Sequence, residues 1–344
     1  MSDFAQTGLI CTLQRLNDAH LGKIEGELNE LARKKGIGLV LPCHANDLGK
    51  PALAHIASEL AGASFLRRTV LSVNGISRED FAQCYGGNPP VPSVSDVLFQ
   101  DDGGGKGRNV RAAFEFLERE GECEIFVTQD CDVASFRRVD LARLCYAVAH
   151  PQLGYRMAKM YYSRVTDRLY GRVSRLFLTP LLHAIVRVAG HHPLVDFLLS
   201  FRYPLAGEVA LTRELAIALP VSEGWGLEIG QLCEVFRRVD PREVCQVDGG
   251  AGYDHKHQPA ATALTGMVGE IARELFAQLR AEGLVVDRGF HTAVTAAYRR
   301  ESAHALRRSA SLALINALPF DEAGERAIVE GFAGRLEESL AGGF

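Results

Sequence analysis

The chain has 344 residues, of which 47% are hydrophobic, and this is enough to bury a sizeable core in one large domain, with or without an appendage. The formal net charge is -4, so the chain lacks the excess of basic residues that is typical of nucleic-acid-binding proteins. No uninterrupted apolar stretch is long enough to span a bilayer. Eight cysteines without a C-x-x-C pair, together with the lack of a basic and then apolar opening segment, predict a soluble, unprocessed, reduced cytoplasmic protein.

The first part of the chain is predicted to alternate between helices and strands. Apolar residues at roughly helical spacing indicate an N-terminal helix that ends near residue 36, namely Leu16, Ile24, Leu28 and Leu31. Two strands follow at residues 38–42 and 68–74, and each leads into a helix, the first with Pro51 near its start. Residues 86–92, with three prolines, are predicted to form a loop.

The second part of the chain is predicted to be richer in helices. Residues 124–128 and 154–162 are typical of buried strands. The apolar stretch at residues 176–199, interrupted by Pro180 and Pro193, predicts buried helices. Further helices are predicted at residues 110–117, 141–148, 209–218, 225–236, 264–279 and 292–318.

Two carboxylates stand at the end of the strand over residues 124–128. Asp130 and Asp132 are separated by one residue, and side chains at i and i+2 of an extended backbone point to the same face. Both can therefore approach one hard cation, and Mg²⁺ or Mn²⁺ takes oxygen ligands from one or two carboxylates and from substrate phosphates. The pattern indicates a nucleoside-diphosphate site. The competing interpretation is a strand that leaves the core through a solvated acidic turn.

A glycine-rich segment at residues 101–109 contains Lys106 and leads into a helix. Free N–H groups and the positive end of a helix can hold a phosphate. The segment does not complete the Walker pattern, because no Ser or Thr follows its lysine. A phosphate-holding segment and a plain loop are both compatible with it.

The alternation of strands and helices predicts an α/β fold with a mostly parallel sheet, in which ligands gather at the carboxyl ends of the strands. The predicted division is an N-terminal helical segment over residues 1–36, a main domain over residues 37–258 and a helical C-terminal extension over residues 259–344.

Several short segments occur together in the order found in a known family. They are Leu41-Pro42 with Asn46-Asp47, Gly105-Lys106-Gly107, Asp130-Cys131-Asp132, Tyr162-Ser163-Arg164, Gly171-Arg172-Val173-Ser174, Pro204-Leu205-Ala206-Gly207-Glu208, Gly226-Leu227-Glu228-Ile229-Gly230 and His255-Lys256-His257. In these segments the chain resembles the retaining GT-A glycosyltransferases that make glucosyl-3-phosphoglycerate or mannosyl-3-phosphoglycerate. The resemblance implies a GT-A fold, with a Rossmann-like, mostly parallel sheet, for the main domain.

The resemblance also implies roles for individual residues. One group would border the uracil or guanine base, the ribose and the phosphates of the donor: Pro42, Cys43, Asn46, Asp47, Asn74, Lys106 and Asp130. Asp132 and His255 would ligate the Mg²⁺ or Mn²⁺ ion, and a neutral imidazole is a suitable ligand for it. Glu228 would hold hydroxyl groups of the donor sugar, and Asp132, Glu228 and Lys106 are the predicted catalytic residues.

The acceptor, 3-phosphoglycerate, would be held by Arg172, Ser174, Gly207 and His257. A guanidinium suits its carboxylate and phosphate because it can bond either of them bidentately. The chain departs from the family pattern at residues 43–47, where Ala-Leu-Asn-Glu-Glu is frequent, at Ser174, where threonine is common, and at His257. These departures bear on base and sugar specificity and leave the reaction class unchanged.

The implied reaction is a metal-dependent transfer of glucose, with retention, from UDP- or GDP-glucose to the hydroxyl of 3-phosphoglycerate. GDP-mannose would give the alternative product, mannosyl-3-phosphoglycerate. The metal and Lys106 would neutralise charge on the departing diphosphate. No carboxylate nucleophile is assigned, so same-face attack, with the leaving phosphate helping to deprotonate the acceptor, is favoured over a covalent intermediate. The remaining alternatives are a transferase with a lipid or polysaccharide acceptor and an inactive nucleotide-sugar-binding regulator.

The C-terminal helices carry apolar stripes but little chemistry that matches the family. They are expected either to form a homodimer interface or to pack on their own domain, and a homodimer is the prediction. The expected partners are the nucleotide-sugar donor and the acceptor, with no nucleic acid and no membrane.

Overall fold

One sheet of eight strands organises the part of the chain that the computed structural model describes, which is residues 8–17, 20–85, 93–100, 105–222, 224–253 and 261–341. The strands are β1 Cys11–Leu13, β2 Ile37–His44, β3 Arg68–Asn74, β4 Asp96–Gln100, β5 Ile125–Thr128, β6 Met157–Ser163, β7 Val209–Thr212 and β8 Val244–Ala251. Their order is β1-β8-β6-β7-β5-β2-β3-β4, and only β7 runs antiparallel to its neighbours in the described sheet. The predicted α/β class with a mostly parallel sheet is confirmed.

Helices cover both faces of this sheet. They are α1 Leu21–Lys34, α2 Pro51–Leu60, α3 Arg78–Tyr85, α4 Lys106–Glu120, α5 Arg138–Ala149, α6 Thr179–Ala189, α7 Pro193–Leu199, α8 Arg213–Ala218, α9 Leu227–Arg238, α10 Ala261–Ala281, α11 Arg288–Ile315 and α12 Glu322–Ala341. Leu39 and Leu41 of β2 belong to the hydrophobic core with α1, α2 and α5, whereas Val40 belongs to the core with α4 and α6. This alternation is typical of a strand buried on both sides.

The C-terminal helices are continuous with the main core. Residues of α10, α11 and α12 pack in the same hydrophobic cluster as residues of α4, α6 and α9. None of the helices among the described residues is long and apolar enough to cross a membrane.

Two predicted segments differ from the structure. The helix expected over residues 209–218 is wrong for its first four residues, which form β7 between β5 and β6, and α8 begins only at Arg213. Pairing on both sides overrides the helical preference of Ala and Leu at this point. Leu16, assigned to the first helix, lies before α1 and is 67% exposed. The predicted loop at residues 86–92 lies outside the described residues.

The order of the strands creates a crevice at one edge of the sheet. From β2 the chain continues to β3 and β4 on one side, and it then crosses to β5 on the other side of β2. Ligands of open α/β sheets bind outside the carboxyl ends of the strands at such a switch point. Because β7 runs in the opposite direction, the residues that precede it lie at this same edge.

Candidate active site

Two adjoining pockets open at the carboxyl edge of the sheet. We call the first the strand-edge pocket, because residues at or just after the ends of β2, β3 and β5 line it together with the start of α4. The second, the helix-side pocket, is lined by residues 170–174 and by α10. Four residues belong to the walls of both pockets: Lys106, Asp130, Asp132 and Trp225.

The strand-edge pocket brings together every residue that was predicted for the nucleotide side, namely Pro42, Cys43, Asn46, Asp47, Asn74, Lys106 and Asp130. They come from four separate stretches of sequence, and they meet because β2, β3 and β5 end side by side and α4 begins at the same edge. Asn109, from the first turn of α4, also lines this pocket, and it was not among the predicted residues.

Lys106 occupies the centre of the shared wall. Its Nζ lies 2.5 Å from Asp130 Oδ1 and donates to Glu228 Oε1 at 3.0 Å. Burial acts to lower the pKa of Lys106, but the carboxylates of Asp130 and Glu228 outweigh it and hold the pKa well above the ordinary lysine value. A fixed ammonium is therefore present between the two pockets. The three predicted catalytic residues, Asp132, Glu228 and Lys106, lie together here.

Gly207 lies directly against this ion pair. A Cβ at this position would contact Lys106 Nζ and would lie 2.5 Å from Asp130 Oδ1, so a side chain could not be added without moving them. The carbonyl of Gly207 accepts from Thr128 Oγ1 at 2.6 Å, and the carbonyl of Ala206 accepts from Lys159 Nζ at 2.6 Å. Both contacts fix the backbone that backs the site.

Lys159 is fully buried in β6 beneath the site. Burial lowers its pKa to about 8, although the nearby carboxylates of Glu228 and Glu208 act in the opposite direction. Glu208, also fully buried, accepts from Tyr162 Oη at 2.9 Å and from Gln129 Nε2 at 3.3 Å. Polar groups beneath the pockets are thus tied into hydrogen bonds that hold the residues before β7 in place.

The helix-side pocket is built around a π-helical turn, Val173–Leu178, which follows Gly171 in a left-handed conformation with φ of 68°. Such turns occur frequently at functional sites. Arg172 and Ser174 line the pocket, as predicted for the acceptor side. Ser174 is buried, and its Oγ has no hydrogen-bond partner among the described residues. A buried hydroxyl of this kind is suited to a ligand atom or a water molecule.

Sequence reasoning missed several residues of the helix-side pocket. Arg164 lines it, and its Nε has no hydrogen-bond partner among the residues the structure describes. Trp225, the single tryptophan of the chain, lines both pockets and is 45% exposed. Arg164 is the last residue of a matched segment and Trp225 directly precedes another, and this was the available signal. The apolar wall contributed by α10 carried no such signal: Leu264, Met267 and Ile271.

The predicted metal site lies only partly within the described residues. Asp130 and Asp132 supply carboxylate oxygens at the end of β5, whereas His255 and His257 lie outside the described residues. Within the described ranges, no group of three or more His, Cys, Asp or Glu side chains is arranged to hold a metal ion. Two carboxylates beside the open strand-edge pocket still fit Mg²⁺ or Mn²⁺, because these ions complete their coordination with substrate phosphates and water.

The sheet order, with paired carboxylates at its switch point, is the fold of the GT-A glycosyltransferases. Solved structures support the fold: glucosyl-3-phosphoglycerate synthase from Mycobacterium tuberculosis, in complex with Mn²⁺, UDP and phosphoglyceric acid, superposes with a TM-score of 0.62 at 21% identity, covering 80% of this chain and 87% of that chain. The same enzyme with Mg²⁺ and UDP gives a TM-score of 0.60 at 23% identity, over 78% of this chain and 86% of that chain.

Curated relatives give the family. The glucosyl-3-phosphoglycerate synthase of Persephonella marina is 32% identical over 98% of this chain and 90% of its own length, and that of Methanococcoides burtonii is 27% identical over 90% of this chain and 82% of its own length. No family model matches the chain. Because of its similarity to the Persephonella marina enzyme, the chain belongs to the family of glucosyl-3-phosphoglycerate synthases, and it is a metal-dependent hexosyltransferase.

Proposed function

We propose that this chain transfers a glucosyl group from UDP-glucose or GDP-glucose to the hydroxyl of 3-phosphoglycerate, with retention at the anomeric carbon. The observation that carries the proposal is the meeting of two pockets at one wall that contains Lys106, Asp130 and Asp132. A donor in one pocket and an acceptor in the other would bring their reacting atoms to this wall. The names of the relatives support glucose and 3-phosphoglycerate as the two halves of the product.

The donor would occupy the strand-edge pocket. Asp132, with Asp130 beside it and His255 as a further predicted ligand, would hold Mg²⁺ or Mn²⁺, and the bound ion would neutralise charge on the diphosphate. The ammonium of Lys106 lies in the wall shared by the two pockets, beside Asp130, and adds a second fixed positive charge there. Glu228, which lines the helix-side pocket beside Lys106, would hold sugar hydroxyls.

The acceptor would occupy the helix-side pocket. Arg172 supplies a guanidinium for its carboxylate or phosphate, and the unpartnered Oγ of Ser174 can donate to either anion. The remaining acceptor assignments, Gly207 and His257, stay predictions. The pocket also presents Arg164, which adds positive charge suited to a small anion.

The chemical step balances without a protein nucleophile. The bond between the anomeric carbon and the diphosphate oxygen breaks, a bond from that carbon to the acceptor hydroxyl oxygen forms on the same face, and the hydroxyl proton passes to the departing phosphate. The protein then has to supply fixed charges that stabilise the leaving group and side chains that hold both substrates.

The test is release of nucleoside diphosphate by the purified chain with Mg²⁺ or Mn²⁺, using UDP-glucose, GDP-glucose and GDP-mannose, each with and without 3-phosphoglycerate. We expect release from one glucose donor that depends on 3-phosphoglycerate and stops with chelator. Fluorescence of the single tryptophan, Trp225, gives donor and acceptor affinities in parallel, since this side chain lines both pockets. Preference for GDP-mannose, or release that ignores 3-phosphoglycerate, would contradict the proposal.

A homodimer and a cytoplasmic location stay predictions. At the end of α11, Leu312, Leu314 and Ile315 are 52%, 82% and 82% exposed. Exposed apolar side chains grouped in this way are compatible with a contact between two copies. Light scattering of the purified chain measures the mass directly, and a monomer at micromolar concentration would contradict the dimer.

A further inference from the structure

One carboxylate of the C-terminal extension contacts the proposed acceptor arginine. Glu325, in the first turn of α12, accepts from Arg172 Nε at 2.7 Å across 153 residues of sequence. Its second oxygen contacts Arg175 Nη2. The Glu325 side chain is 5% exposed, whereas that of Arg172 is 28% exposed. A buried acid thus lies behind an arginine that reaches into the helix-side pocket.

The two arginines differ in how they are held. Arg175 also donates to the carbonyls of Leu169 and Tyr170 and to Ser309 Oγ, and it does not line the pocket. Burial lowers the pKa of Arg175, and the charge of Glu325 partly offsets this effect. The guanidinium of Arg175 is therefore held by several hydrogen bonds, and its function is structural.

Arg172 is held at one atom of its guanidinium. Within the described part of the chain, the hydrogen bond from Nε to Glu325 is the one that the structure shows for this side chain. The two terminal nitrogens remain for a ligand, and a guanidinium that presents them together can bond a carboxylate or phosphate bidentately. Because the single carboxylate of Glu325 contacts two guanidiniums, the cluster of Glu325, Arg172 and Arg175 keeps a net positive charge.

We propose that Glu325 is a positioning residue for the acceptor: it fixes the Arg172 guanidinium at Nε so that both terminal nitrogens face the acceptor anion. The inference rests on the proposed function, because it takes Arg172 as an acceptor-binding residue. It makes α12 part of the acceptor site, although no residue of α12 lines either pocket.

The sign of the effect separates positioning from simple charge compensation. If Glu325 only reduced the positive charge near the acceptor, its neutralisation would strengthen anion binding and lower the acceptor KM. If it positions Arg172, neutralisation weakens the bond to Nε and the acceptor KM rises. We expect a rise of about 10-fold for Glu325→Gln, the size associated with losing a charge-assisted hydrogen bond, with donor KM and kcat within about twofold.

A matched pair elsewhere supplies the control. Arg187 Nε donates to Glu301 Oε1 at 2.7 Å, and this pair joins α6 to α11 with a Glu301 side chain that is 11% exposed. Neither residue lines the described pockets. Glu301→Gln should lower thermal stability by an amount similar to Glu325→Gln but leave the acceptor KM unchanged.

The experiment measures initial rates against 3-phosphoglycerate at saturating donor for Glu325→Gln, Glu325→Asp, Glu301→Gln, Arg172→Ala and the double variant Arg172→Ala/Glu325→Gln. Glu325→Asp keeps the charge and shortens the side chain, so it tests position even where the glutamine variant folds poorly. Both Glu325 variants should raise the acceptor KM. In the Arg172→Ala background, Glu325→Gln should add no further change.

Failure of the inference and failure of the proposed function give different results. If Arg172→Ala raises the acceptor KM but the Glu325 variants leave it unchanged or lower it, positioning is overturned while the acceptor site stands. If Arg172→Ala itself has no effect on the acceptor KM, the acceptor assignment has failed. An equal rise in Glu301→Gln would show that the effect is general destabilisation, and it would also overturn the inference.

Discussion

The strand-edge pocket and the helix-side pocket share one wall but are built in different ways. The first is formed mainly by the ends of three neighbouring parallel strands and the start of α4, all between residues 37 and 132, and Gly224 and Trp225 complete its lining. The second combines a π-helical turn with α10, and its Arg172 is held by α12, 153 residues away. Parallel strand ends are a generic nucleotide site, whereas the proposed acceptor pocket depends on packing between remote segments.

Because of this difference, mutations in one part of the chain are expected to affect the two pockets unequally. The strand ends that line the strand-edge pocket are held by backbone hydrogen bonds in the sheet. The helix-side pocket depends on side-chain contacts between elements that pack together only in the complete fold. We therefore expect changes in the C-terminal helices to alter use of the acceptor before they alter use of the donor.

The largest effect is expected at the shared wall. Asp132→Ala removes a predicted metal ligand, so turnover should fall about 1000-fold, in line with the loss of electrostatic stabilisation of a leaving group. Rates of nucleoside diphosphate release at saturating Mg²⁺ or Mn²⁺ measure it, with the circular dichroism spectrum as a check on the fold. Near-normal turnover would remove Asp132 from the metal site.

Gly207→Ala should have the next largest effect. The new methyl group would lie against Lys106 and Asp130 and displace the pair from its position between the pockets. A displacement of this kind can cost about 100-fold in kcat/KM. Gly26→Ala in α1 is the control, because a Cβ there would meet no atom within 4 Å. Equal activities for the two variants would mean that the close approach at Gly207 is unimportant for catalysis.

Trp225→Leu should affect both substrates at once. Its ring borders both pockets, so its loss should raise the donor KM and the acceptor KM by about 10-fold each, the size expected from losing aromatic contact area. This distinguishes it from Arg172→Ala. Kinetics with each substrate varied in turn provide the measurement, and an effect confined to one substrate would assign Trp225 to a single pocket.

The smallest effect on turnover is expected at Lys159, beneath both pockets. Lys159→Met removes one hydrogen bond to the Ala206 carbonyl, and we expect about a fivefold loss of activity near neutral pH.

The same lysine should make stability depend on pH. The pKa of Lys159 in the folded chain is about 8, below the ordinary 10.5. Between these two values the unfolded chain binds more protons than the folded chain, so this lysine adds stability as pH rises. The free energy of unfolding in urea with chelator, as wild type minus variant, should therefore increase from pH 7.5 to 10; a constant difference would contradict the lowered pKa.

The sequence predicted the strand-edge pocket better than the rest of the molecule. Strands β2, β3 and β5 have strong local signals, and Asp130 and Asp132 follow directly from the end of β5. Once strands are known to be parallel, their ends must lie side by side, so the convergence of these residues could be expected from local patterns alone.

Other features needed the folded structure. β7 is a strand because β5 and β6 pair with it on both sides, and short Ala and Leu runs do not reveal such pairing. Glu325 lies among charged residues of α12 that are typical of a solvent-exposed helix, yet it accepts a hydrogen bond from Arg172 of the helix-side pocket. The spacing of residues along the sequence carries no information on this contact. β4 and β8 were missed for a similar reason, because each is defined by its neighbours in the sheet.

The most direct test of the division into donor and acceptor pockets is a crossed kinetic measurement on two single variants, Arg172→Ala and Asp47→Asn, with the KM of donor and of 3-phosphoglycerate determined for each. Arg172→Ala should raise the acceptor KM by about 10- to 100-fold, the loss associated with a bidentate charged contact, and leave the donor KM within twofold. Asp47→Asn, in the strand-edge pocket, should do the reverse. If Arg172→Ala instead raised the donor KM, or if both variants raised both constants equally, the two pockets would not hold separate substrates.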